Sequence, residues 1–112
     1  MRVLFDQATP LPIRAFLDRH EVCTASQQGW ATLNNGDLLT AAEAAGFEVL
    51  LTTDKNLRYQ QNLEGRKIAV VVLGRQQWPQ VRSYVQRIVD AVNSAAPGSC
   101  IEIEIPTEKG RG

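Results

Sequence analysis

The chain has 112 residues, 44% of them apolar and 21% charged, with 12 basic against 12 acidic side chains and a formal net charge of zero. That is enough for one compact domain with a real core and too little for two, and the composition excludes disordered and fibrous classes. Zero net charge supplies no global field to draw in nucleic acid or a membrane, so any such partner has to be held locally.

The chain opens MRVLFDQ, with one basic residue and an apolar run of three. This falls far short of a secretory leader, and no run reaches the roughly 18 apolar residues of a membrane span. The expectation is a cytoplasmic protein with no membrane partner. Residues 3 to 5, VLF, form the first brief apolar run, and PLPIRAFLDR over 10 to 19 reads as a helix. His20, alone between Arg19 and Glu21 at the end of that helix, is placed to meet terminal carbonyls or solvent. Cys23 and Cys100 stand far apart without partners at metal-ligand spacing, as reduced thiols in apolar stretches do.

DLLTAAEAA over 37 to 45 predicts a second helix, with Gly46 as its C-terminal cap. VLL at 49 to 51 and IAVVVL at 68 to 73 are too short for helices and rich in branched residues, as strands buried on both faces are. A helix over 54 to 62 separates them, and Gly74 punctuates the second. From 78 to 95, Val81, Tyr84, Val85, Ile88, Val89 and Val92 recur at three and four residues, one apolar stripe along a long helix that faces the core, with a second subunit as the alternative for part of it. Trp78, before Pro79, reads as a packing residue where that helix begins. SCIEIEIP then alternates isoleucine with Glu102 and Glu104, the pattern of a half-exposed edge strand stopped by Pro106. Residues 107 to 112, TEKGRG, read as a frayed tail.

Strands alternating with helices predict an α/β fold: an open, mostly parallel sheet of about five strands with helices on both faces, spanning 1 to 106. Ligands of such sheets bind at the carboxyl ends of strands, where the strand order reverses. Asp6 follows VLF directly and Asp54 ends VLLTTD, so both acids are expected at that edge. Asp37 opens the helix leading into the VLL strand and is a candidate third. Carboxylates gathered at one point repel one another, and Mg²⁺ or Mn²⁺ is the fitting remedy because hard cations take oxygen ligands. No cluster of His and Cys points to zinc. A water held by such an ion attacks a phosphodiester better. The plainer alternative is that Asp37 and Asp54 cap helices.

LFDQATPLPIRAFL, a GW-containing loop, NGDLL followed by AA, VLLTTDKNL and IAVVVLG together resemble the uncharacterised bacterial PIN-like proteins, relatives of the PIN-domain nucleases, over about residues 1 to 105. The resemblance implies a three-layer α/β/α fold, a Mg²⁺- or Mn²⁺-dependent ribonuclease with RNA as substrate, and service as the toxin of a toxin–antitoxin pair with an antitoxin protein as partner. By position it assigns Asp6, Asp37 and Asp54 as catalytic and metal-binding acids. The family often has D-x-D-F where this chain has Asp54, Lys55, Asn56 and Leu57, so Asn56 stands as an uncharged metal-site member. Arg14, Lys55 and Arg58 are the candidate substrate contacts. Trp30, in the loop with Gln28 and Asn35, is placed to cover the site, stack a base or pack beneath its loop. Glu43, six residues past Asp37 on one helix, falls on another face and reads as solvated surface.

Two other readings compete. The Asn56 substitution fits a catalytically weakened PIN-like protein that binds and regulates without cleaving. A phosphoacceptor receiver has a similar size and acids after its first and third strands, but Asp6 is followed by Gln7 rather than a second acid, and no lysine follows IEIEIP where one is needed. A homodimer is a further expectation.

Overall fold

Each central strand is apolar on both faces, and the two faces are covered by different layers. The computed structural model describes residues 1 to 106, so the tail expected to be frayed lies outside them. Strands β1 (Arg2–Phe5), β2 (Glu21–Thr24), β3 (Val49–Thr52), β4 (Ala69–Leu73) and β5 (Cys100–Ile103) form one five-stranded sheet in the order β2-β1-β3-β4-β5. Every pairing is parallel.

Side chains of a strand alternate between faces. Val3, Phe5, Val49, Leu51, Val71 and Leu73 therefore point to one layer, where Ile13, Val81, Ile88 and Val92 cover them. These come from a 3₁₀ helix (Leu11–Phe16) and from the helical run of α4 (Trp78–Val81), a 3₁₀ turn (Arg82–Tyr84) and α5 (Val85–Asn93). Leu4, Leu50, Val70 and Val72 point the other way, against Ala25, Leu38, Leu39, Ala42 and Leu57. Those belong to α1 (Ala25–Gln28), α2 (Asn35–Ala44) and α3 (Leu57–Gln60). The result is the three-layer α/β/α arrangement that strand and helix alternation implied.

Several elements differ in extent from the sequence reading. Strand β2 falls where no apolar run marked one: of its four residues only Val22 is buried, as suits an outer strand. The predicted helix over 10 to 19 is a 3₁₀ helix with Pro12 in its first turn. Ile13 N–H bonds Pro10 O at 3.3 Å and Leu17 N–H bonds Arg14 O at 3.1 Å, the i to i+3 pattern. The helix predicted over 54 to 62 shrinks to Leu57–Gln60, because residues 54 to 56 are taken up by a turn and Gln61 is extended. The long helix carries the predicted stripe, with Val81, Ile88 and Val92 buried, but is interrupted by the 3₁₀ turn. Strand β5 lies at the sheet edge as expected, with Glu102 and Glu104 exposed and Ile103 and Ile105 buried.

Gly46 ends α2 at φ +87°, with its N–H on Glu43 O and the Phe47 N–H on Ala42 O, the paired bonds of a Schellman cap. Phe47 then drops into the second layer. His20 meets the Asn93 side chain at 2.7 Å rather than terminal carbonyls. Both cysteines are free and half-buried, and burial pushes the Cys100 thiol up. Among the described residues no helix is long and apolar enough to cross a membrane.

Strand order reverses between β1 and β3: β2 lies outside β1, while β4 and β5 follow β3 in the other direction. The crevice at the carboxyl ends of those two strands is the switch point of the sheet.

Candidate functional site

Leu4 pairs with Leu50 across the switch point, and both face the second layer. Two residues further on, the same parity carries Asp6 and Thr52 to that face at the rim, and two more carry Asp54 there. The pairing continues past the strand end, since Asp6 N–H bonds Leu51 O at 3.1 Å. Thr52, wholly buried, donates its hydroxyl to Asp6 Oδ2, and its Oγ1 accepts the Asp54 backbone N–H at 3.1 Å. One hydroxyl thus ties the two aspartates together.

The remaining carboxylate oxygens are also engaged. Thr9 Oγ1, buried, lies 2.7 Å from Asp6 Oδ1 and 2.8 Å from Leu51 O, and its single hydrogen serves one or the other. Asn35, the first residue of α2, donates through Nδ2 to Asp54 Oδ2 at 2.6 Å. Asp54 Oδ1 accepts the Asn56 N–H at 2.9 Å, an Asx turn. The capping alternative for Asp54 does not hold: the N-cap of α3 is Asn56, without a side-chain cap bond, and Asp54 only shapes the turn before it. Both carboxylates are half-buried, and neither is ion-paired among the described residues.

Asp37 stands differently. The cap of α2 is Asn34, whose Oδ1 accepts the Asp37 N–H at 2.8 Å, and Asp37 is exposed in the first turn. Among the described residues no three His, Cys, Asp or Glu side chains gather as a group able to hold a metal ion. The structure unites Asp6 with Asp54 and leaves Asp37 out of that pair. Asn56 is exposed and turns its backbone N–H, not a side-chain oxygen, toward Asp54.

The donor set suits a hard cation. Each carboxylate oxygen has two lone pairs, and each of the four oxygens of Asp6 and Asp54 has no more than one hydrogen-bond donor, which leaves at least one lone pair apiece for Mg²⁺ or Mn²⁺. Asp6 also lines a recess of about 140 Å³ with Gln7, Trp30, Leu33, Asn35 and Leu38. Trp30 packs edge-on against Phe47, centroids 6.0 Å apart, so it is both packed beneath its loop and at the recess wall.

The expected substrate cations are scattered. Arg58 pairs with Glu102 at 3.4 Å, and Lys55 shares a recess of about 350 Å³ with Glu102 and Glu104. Arg14 is exposed on the 3₁₀ helix.

Glu43 is not solvated surface. It pairs with Arg66 at 2.7 Å and accepts the backbone N–H groups of Lys67 at 2.6 Å and Ile68 at 3.3 Å. Burial pushes its carboxyl up, but the Lys67 N–H, the Arg66 side chain and the Ile68 N–H outweigh that and hold it below its ordinary value. Its work is to fasten α2 to the start of β4.

Thr52, Thr9 and the Asn35 amide are the members that residue-type reasoning passed over. The signal was a hydroxyl two residues before Asp54, on the same strand face. Comparison with protein-family models, with characterised proteins and with solved structures finds no match to this chain.

Proposed function

We propose that the chain is a Mg²⁺- or Mn²⁺-dependent ribonuclease of PIN-like type, with Asp6 and Asp54 as the acids that hold the cation. One observation carries the reading: two half-buried carboxylates, tied through Thr52 at the switch point, have no cationic side chain to neutralise them among the described residues. When bound, the ion activates water and offsets charge on a phosphodiester oxygen. Thr52 and Asn35 would hold the two carboxylates in place through their hydrogen bonds. Asp37 and Asn56 flank the pair on the segments that frame it. RNA as substrate and a role as a toxin held by an antitoxin come from the family resemblance. The test is to incubate the purified chain and its Asp6→Asn and Asp37→Asn versions with RNA and Mn²⁺. Cleavage lost in Asp6→Asn supports the proposal, and equal cleavage by the native chain and Asp6→Asn defeats it.

A second reading, a PIN-like binding protein without nuclease activity, is favoured by a different observation. A neutral hydrogen-bonding group lies within reach of each of the four carboxylate oxygens, so the pair is tolerated without a cation. Failure to bind Mn²⁺ at millimolar concentration selects this reading.

A further inference from the structure

The carboxyl rim of the sheet holds a second feature beside the aspartates. Thr52 pairs with Val72, so the loop after β4 runs alongside the Asp54 turn. Thr53, Gly74, Arg75, Gln76 and Gln77 there enclose a recess of about 340 Å³, walled by polar groups. Thr53 is out of phase with Thr52 and Asp54, so this recess lies across the rim from the carboxylates rather than among them.

Arg75 is what distinguishes it. The side chain is half-buried and anchored through Nε, which donates to Ile105 O at 3.3 Å. Among the described residues the two terminal nitrogens have no hydrogen-bond partner and no carboxylate lies within ion-pair distance of Arg75. Arg58 at the same rim is already paired with Glu102. A guanidinium held by Nε presents its outer N–H groups in a fixed fork, the geometry that grips a phosphate. Gln76 and Gln77 add amide donors, and Thr53 adds a hydroxyl.

We infer that this recess binds a phosphate of a single-stranded RNA backbone, gripped by Arg75 with Gln76 and Gln77, while a neighbouring phosphodiester lies at Asp6 and Asp54. The identity of the chain as RNA rests on the ribonuclease proposal; the anion site rests on Arg75. With net charge zero, affinity has to come from such local contacts rather than from the overall field.

The test measures binding of a fluorescent single-stranded RNA oligonucleotide in EDTA, over a range of salt, by the full chain and three variants. Arg75→Ala is expected to weaken binding about tenfold and to lower the slope of log affinity against log salt by about 0.7, one phosphate contact. Gln76→Glu, at an exposed position, brings a carboxylate into the recess and is expected to weaken binding as well, even if Arg75→Ala folds poorly. Arg19→Ala, exposed at the opposite rim, is expected to bind as the native chain does. Native affinity and salt slope in both recess variants overturn the inference, as does a native chain that binds no oligonucleotide. Displacement by an equimolar mononucleotide also overturns it, in favour of a free-nucleotide site. Cleavage unaffected by Asp6→Asn, with binding lost in Arg75→Ala, defeats the nuclease reading and leaves the phosphate site standing.

Discussion

The buried hydroxyl of Thr52 donates to the carboxylate of Asp6, across the point where the strand order reverses. The same oxygen accepts the Asp54 N–H, so the contact is shared by both acids. Replacing Thr52 with Val keeps the branched shape but removes donor and acceptor together. Hydrogen bonds to charged groups contribute about 1.5–3 kcal/mol, and Thr52→Val is expected to lose that much in urea unfolding. Thr52→Ser keeps the hydroxyl and is expected to lose less. Equal midpoints for the native chain and Thr52→Val would show that the hydroxyl does not hold the pair.

Glu43 sets an acid limit on stability. Its carboxyl is depressed in the folded chain, so its contribution is fully present above the ordinary value of 4.5 and is lost as pH falls through the lower folded value. Unfolding midpoints measured downward from pH 6 should therefore drop below about pH 4.5 in the native chain, and less steeply in Glu43→Gln. At neutral pH Glu43→Ala should cost about 1–3 kcal/mol, because Arg66 and two backbone N–H groups lose their acceptor. Parallel pH profiles for native and Glu43→Gln would contradict this.

Gly74 is required by crowding. A Cβ there would stand 2.9 Å from Ile105 N and 3.2 Å from Ile103 O, in the backbone of the adjoining edge segment. Gly74→Ala is predicted to cost about 1–3 kcal/mol and to disturb the loop that carries Arg75. Thermal unfolding of the variant checks it; an unchanged midpoint would mean that the edge strand yields freely.

Much of this arrangement was legible in the residues. VLF, VLL and IAVVVL are short, branched and unbroken, which only strands buried on both faces require, and the Glu/Ile alternation after Cys100 marked an edge. Asp6 and Asp54 were legible as a pair because both follow such runs, and parallel strands deliver their ends to one rim. Strand β2 was hidden because an outer strand with one buried residue leaves no apolar run. Helix ends at 10 to 19 and 54 to 62 were decided by prolines and an Asx turn, local hydrogen bonding that overrides periodicity. Glu43 was misread because its partners, Arg66, Lys67 and Ile68, come beside it only when β4 joins the sheet. The place of Asp37 depends on how α2 meets the rim, and there Asn35 rather than Asp37 touches Asp54.

Asn35 offers a way to strengthen the site. Asn35→Asp puts a third carboxylate against Asp54 Oδ2, where the amide now donates at 2.6 Å. Without metal the variant should be less stable by about 1–3 kcal/mol, since a donor is replaced by a like charge. Added Mn²⁺ should restore the loss and raise the unfolding temperature further than in the native chain. No difference between the two in their response to Mn²⁺ would place the cation elsewhere.

The most direct measurement is calorimetric titration of Mn²⁺ into the metal-stripped native chain and into Asp6→Asn. Saturable binding by the native chain that disappears in Asp6→Asn is the predicted result. Binding of equal strength by both, or by neither at millimolar Mn²⁺, would contradict a cation held between Asp6 and Asp54.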